Sequence, residues 1–157
     1  MLHFIEEREI AASAEQVHAI LNDIAHYKDW NPWIIDATGS TEVDGMLQVT
    51  ANMAVGNLNK TKPRTQVFQH KMLVNDAPNI FHWCDIGWFT FLADGNRKRV
   101  LTVIDENRCH YRVELQVTGI ATALVKLFFA DFMQRGLKTE SDALLQHAEE
   151  IFTLKNR

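Results

Sequence analysis

Hydrophobic residues along this chain change period three times, and the changes divide it into elements. Leu2 to Ile10 has strand-like apolar positions and leads into Ala12-Ser13-Ala14-Glu15-Gln16. Ser13 with Gln16 three residues later is a capping-box start. Val17, Ile20, Leu21 and Ile24 then recur at helical spacing and predict a short amphipathic helix. Pro32 limits any further helix, because the residue before a proline is pushed toward extended geometry. From Trp33 to Gly119 the period is two, with turn signals near Thr38–Gly45, Gly56–Arg64, Asn75–Asn79, Ala93–Asn96 and Asp105–Arg108. Runs such as Leu47 to Met53 and Tyr111 to Val117 alternate cleanly, as in an antiparallel sheet with one wet and one covered face. Six strands joined by short turns make a meander.

After Gly119 the period returns to 3.6. Val125, Phe129, Phe132, Met133, Gly136, Leu137, Glu140, Leu144, Ala148 and Ile151 form one stripe on a helix of about 28 residues, roughly 40 Å long. Nothing else in the chain could cover that stripe, so the helix must lie across the dry face of the sheet. Gly136 in its middle costs about 1 kcal/mol against alanine, which points to a close contact or a bend. The resulting class is α+β: a curved seven-stranded antiparallel sheet wrapped round a long C-terminal helix, with one or two short helices after the first strand. A strongly curved sheet cannot bring all its inward side chains onto one helix, so a cavity is expected between them.

Length and composition narrow the picture further. A chain of 157 residues suits a single domain spanning 1–157, and 46% apolar with 23% charged residues is globular composition. A net charge of −4 gives no overall basic field for nucleic acid. The basic clusters Lys60, Lys62, Arg64 and Arg97, Lys98, Arg99 adjoin turn signals and read as solvated loops. The N-terminus has no secretory pattern and no window has the uninterrupted apolar length of a membrane span, so a cytoplasmic location is expected. Cys84 and Cys109 fit reduced, half-buried thiols. The seven histidines show no paired ligand spacing, and His82 with Cys84 on one strand face is no metal site. Neither a phosphate loop nor a nucleophile elbow occurs, and no cofactor is expected.

The stretch from Ala12 to Ile34 resembles the opening of START-like (SRPBCC) polyketide cyclase/dehydrase and lipid-transport domains, at Ser13, Ala14, Val17, Asp23, Tyr27, Trp30, Asn31 and Pro32. Ile80 to Trp88 resembles the family's aliphatic-x-Trp strand, and Val117 to Glu149 its strand-Gly-long-helix closure. The resemblance covers nearly the whole chain; the Trp-Asn-Pro segment is its more specific part. It implies a helix-grip fold with a hydrophobic pocket between sheet and C-terminal helix, and it does not imply a reaction.

Parity places Leu47, Val49, Ala51, Met53, Phe68, His70, Met72, Val74, Phe81, Trp83, Tyr111, Val113, Leu115 and Val117 on the inward face, opposite Phe128, Phe129, Phe132, Met133 and Leu137. Of these, Phe68, His70, Met72, Phe81, Trp83, Tyr111, Val113, Leu115, Phe129, Phe132, Met133 and Leu137 are the expected ligand contacts, although each could simply fill core. His70 could orient a ligand or act as a base, or be a hydrogen-bonded core histidine. Asp85 is either a pocket carboxylate or wet at a strand end. Glu140 must be a polar anchor or stand at the open end of the cleft, because a buried unpaired carboxylate is costly. Asp23, Trp30 and Asn31 read as structural.

Three functions fit. The leading one is binding or transport of a small hydrophobic ligand such as a lipid, quinone or polyketide. The second is an aromatase/cyclase or dehydratase-like enzyme in which His70, with Asp85 or Tyr111, moves protons. The third is an interaction module that binds a partner protein or pairs two copies as a homodimer through exposed aromatics such as Trp33, Trp88, Phe89 and Phe91. The apolar run Gly87 to Leu92 would close the cavity mouth, join a dimer, or end a buried strand.

Overall fold

A computed structural model of the chain describes residues 1–57 and 64–156. Its elements are β1 (Leu2–Ile10), α1 (Ala14–Asn22), a 3-10 turn (Ile24–His26), α2 (Tyr27–Trp30), then strands β2 (Ile34–Gly39), β3 (Met46–Asn52), β4 (Thr65–Asp76), β5 (Ile80–Asp85), β6 (Asp94–Asp105) and β7 (Arg108–Thr118), and finally α3 (Thr122–Lys155). The seven strands form one antiparallel sheet in the order β1-β7-β6-β5-β4-β3-β2. β2 to β7 are thus the expected meander, and β1 returns to pair with the last strand, Phe4 opposite Leu115.

Local chemistry explains the short helices. The Ser13 hydroxyl accepts from Gln16 N–H at 3.2 Å and the Gln16 side chain accepts from Ser13 N–H at 3.0 Å, so the capping box is complete. α2 stops at Trp30, two residues before Pro32, as the proline demands.

Two boundaries differ from the sequence expectation. The turn anticipated at Ala93–Asn96 lies earlier: Gly87, at φ +124°, breaks the chain after β5, a 3-10 turn spans Trp88–Phe91, and β6 has already begun at Asp94. Gly95 sits inside the strand instead, where an added Cβ would meet an Asp85 oxygen at 2.4 Å. The helix runs 34 residues rather than about 28, because its outer turns are exposed and carry no buried stripe by which to recognise them. Of the first basic cluster, Lys60 and Lys62 lie outside the described residues, and Arg64 is exposed.

The α3 backbone lies nearest β1 and β7, at one edge of the sheet. Its separation from the central strands is bridged by side chains. Gly136 makes this possible: Trp33 lies so close that a Cβ on residue 136 would fall 2.4 Å from its ring. The expected close contact is therefore with Trp33, at 4% exposure a core residue and not the exposed aromatic expected from sequence. Phe81, Trp83, Met72, Tyr111, Val113, Leu137 and Leu144 complete the buried layer.

Candidate functional site

Alternation along β6 puts Gly95, Arg97, Arg99 and Leu101 inward and Lys98 outward. The reading of Arg97-Lys98-Arg99 as a solvated loop is thereby overturned, because the turn it relied on is displaced and strand parity governs these residues. Arg99 is fully buried and Arg97 retains 9% exposure. Both meet Glu140 of α3, itself 1% exposed. Glu140 Oε1 accepts from Arg99 Nη2 at 3.0 Å and from Asn31 Nδ2 at 2.8 Å, and Oε2 accepts from Arg97 Nη1 at 3.2 Å. Glu140 is thus a polar anchor and does not stand at an open end.

Burial alone would raise the Glu140 carboxyl, but Arg99, Arg97 and the Asn31 amide hold it below the usual glutamate range. The guanidinium groups also stack: Arg97 Cζ lies 3.9 Å from the Trp33 ring centroid, and Arg99 Cζ lies 4.4 Å from that of Trp83. Asn31 ties the block to its own segment, its Oδ1 accepting from the backbone N–H of Trp33 at 3.0 Å and of Ile34 at 2.8 Å. The Trp-Asn-Pro segment is structural, as expected, and Asn31 also reaches the helix.

Farther along the strands toward the β5–β6 turn lies a second polar pair. His70 Nδ1 is 2.8 Å from Asp85 Oδ1, an ion-pair approach outside hydrogen-bond geometry. Asp85 Oδ2 accepts from Gly95 N–H at 3.0 Å, over the space that Gly95 leaves for it. The His70 ring stacks on Trp83 (centroids 5.4 Å apart, 20° between planes) and on Phe68 (6.5 Å, 23°). Arg97 Cζ is 5.9 Å from the same Trp83 ring, and Asp85 acts on the Arg97 charge through space.

The remaining expected contacts divide. Met72, Phe81, Trp83, Val113 and Leu115 are buried on the inward face, and Leu137 is fully buried on α3. Phe68, Phe132 and Met133 are half-buried, with Phe132 edge-on to Trp33 at 5.9 Å. Phe129 is 44% and Phe128 70% exposed, so neither is buried against the sheet, although Val125 one turn earlier packs on the core. Tyr111 pairs with Leu101, six residues along β7 from the Val117–Gly95 pair and about 20 Å away at 3.3 Å per residue. It joins the Arg99–Glu140 block, where burial pushes its hydroxyl up to about 12, and is no partner for His70. Sequence reasoning missed Arg97 and Arg99 altogether.

Cys84 and Cys109 are free thiols, and burial pushes Cys109 up to about 11. Among the described residues no helix is long and apolar enough to cross a membrane. A separate groove of about 520 Å³ lies outside this region, between α1, α2 and the last turns of α3, lined by Ile20, Trp30, His147, Ile151 and Phe152 among others.

The family model for polyketide cyclase / dehydrase and lipid transport matches residues 10–138, which is most of the chain. The chain belongs to this family. Among solved structures, this START-like domain is similar to the Zhui aromatase/cyclase from Streptomyces sp. R1128 (TM-score 0.72, 12% identity, covering 94% of this chain and 93% of that one). It is likewise similar to a START superfamily protein from Mycobacterium smegmatis (TM-score 0.71, 18% identity, 95% and 98%). Against the di-domain ARO/CYC BexL of the BE-7585A biosynthetic pathway (TM-score 0.66, 10% identity), 92% of the chain aligns but spans only 46% of that protein. At these identities the likeness is one of fold. No curated protein sequence matches the chain.

Proposed function

We propose that this START-like domain binds a small hydrophobic ligand between the sheet and the first half of α3. The observation behind this reading is that Phe68, Met53, Phe132 and Met133, large apolar side chains turned toward the interior, stay only half-buried, while the Arg97–Glu140 block fills the other end. Uncovered apolar surface inside a fold is what an apolar ligand would cover, at roughly 25 cal/mol per Å². The family's association with cyclases, dehydrases and lipid transport agrees with it. Native mass spectrometry of the purified protein, together with titration of the neutral probe N-phenyl-1-naphthylamine, tests it. A co-purified hydrophobe, or saturable fluorescence weakened by Phe68→Arg, is expected. Neither signal in a folded protein would overturn the proposal.

A second reading rests on the His70–Asp85 pair. Asp85 is held by the Gly95 N–H and lies 2.8 Å from Nδ1 of His70, which stacks on an aromatic wall, and a proton on Nδ1 would leave Nε2 as the accepting atom. That arrangement suits proton abstraction next to a ligand carbonyl. The expected result is that an aromatic 1,3-diketone exchanges its α-protons for deuterium faster with the wild type than with His70→Asn or Asp85→Asn, at unchanged diketone affinity. Equal exchange rates would leave the domain a binder.

A further inference from the structure

The polar block is not balanced. Two guanidinium groups, Arg97 and Arg99, share the single carboxylate of Glu140. The next carboxylate, Asp85, has its two oxygens against Gly95 N–H and His70 Nδ1. Arginine keeps its charge at any accessible pH, and Asp85 offsets that of Arg97 only through space, without a hydrogen bond to it. Donors are in surplus too: Arg97 Nε and Trp33 Nε1 are buried without hydrogen-bond partners, although the guanidinium of one stacks on the ring of the other. A buried donor without an acceptor is expensive, and a buried charge without a partner more so. The two arginines are not equivalent. Arg99 is sealed, whereas the Arg97 side chain keeps 10% of its exposure.

We infer that the ligand carries an anionic oxygen, a carboxylate on an apolar body, and that Arg97 receives it with Trp33 as a neighbouring donor. This rests on the chamber proposed above and gives its occupant a chemical class. An apolar tail would lie against Phe68, Phe132 and Met133 while the head group accepts from the unpartnered donors of Arg97 and Trp33. The tail could be an alkyl chain or a fused ring system; the head-group chemistry is the same for both.

Matched pairs test it. Dodecanoate against dodecanol probes the alkyl case, and 2-naphthoate against 2-naphthalenemethanol the aromatic one, each by isothermal titration at pH 7.5. A charge-assisted contact with Arg97 makes the acid of at least one pair bind about tenfold or more tightly than its alcohol, and the pair that shows it identifies the tail. Arg97→Met, similar in length and apolar, abolishes that preference while the alcohols bind as before. Because Arg97→Met leaves Glu140 paired with Arg99 and Asn31, its melting temperature without ligand is expected to equal or exceed that of the wild type. Equal affinity within each pair overturns the anion assignment and leaves the chamber standing. Binding of no probe overturns both. An acid preference that survives in folded Arg97→Met overturns the assignment to Arg97. Should that variant unfold, Arg97→Lys, which retains the charge, must retain the preference, and its loss there would equally defeat the inference.

Discussion

From Gly136 to Ala148, α3 buries a side chain at nearly every turn, whereas Leu124, Leu127 and Phe128 in its first turns are 60–74% exposed. The more hydrophobic half of the helix is the less buried one. The buried half owes its place to Gly136, Glu140 and Ser141 as much as to Leu137 and Leu144: a missing side chain admits Trp33, and a carboxylate ties two strand arginines and Asn31 to the helix. Core packing is thus concentrated in one part of the helix, and the apolar side chains of its first turns are left to solvent.

Breaking the buried end should have the largest effect. Glu140→Gln keeps the volume but leaves two arginines without a counter-charge, and removing one partner of a buried ion pair typically destabilises by about 3–5 kcal/mol. Urea unfolding at pH 7 should show a loss of that order. The same carboxylate sharpens the contrast through pH. Its folded value lies below the ordinary 4.5, so its contribution is fully present above the unfolded value and is lost as pH falls through the folded one. Below about pH 4.5 the wild type should therefore lose stability more steeply than Glu140→Gln, by about one proton's worth of slope. Parallel acid limbs would mean that the Glu140 carboxyl is not shifted by folding.

Gly136→Ala comes next. Alanine is worth about 1 kcal/mol to a helix interior, but overpacking the Trp33 ring costs about 1–3 kcal/mol, so a net loss near 1 kcal/mol is expected in the same urea experiment. A gain would show that Trp33 can retreat without penalty.

How much of this was visible in the sequence follows from which interactions are periodic. Strand alternation and the capping box are local, and Met72, Phe81, Trp83, Val113 and Leu137 lie where parity puts them. The Arg97–Glu140 and Arg99–Glu140 pairs span 43 and 41 residues and depend on how α3 crosses the sheet, which no local pattern encodes. A clue was present all the same: Glu140 interrupts an apolar stripe and must have a partner, and Arg97 and Arg99 alternate in phase with Leu101. Misplacing one turn by several residues hid it. Phe128 and Phe129 failed for the opposite reason, since helical phase says which residues share a face but not how deeply each is covered.

The exposed end should yield the smallest stability change and a different kind of readout. Replacing Leu127 and Phe128 by serine removes large apolar side chains that are 74% and 70% exposed, so little burial is lost and unfolding should shift by no more than about 0.5 kcal/mol per site. Trp88 and Phe91, 81% and 61% exposed, stand on the 3-10 turn whose end is tied to the start of α3 through Ala121 N–H and Leu92 C=O at 2.9 Å. Apolar side chains exposed in such number favour self-association. The double serine variant should therefore raise the protein concentration at which sedimentation velocity first detects dimers, with the Glu140 block and its acid limb unchanged. If stability fell by as much as in Glu140→Gln, the first turns of α3 would be contributing to the core after all, and the separation between the two ends of the helix would be wrong.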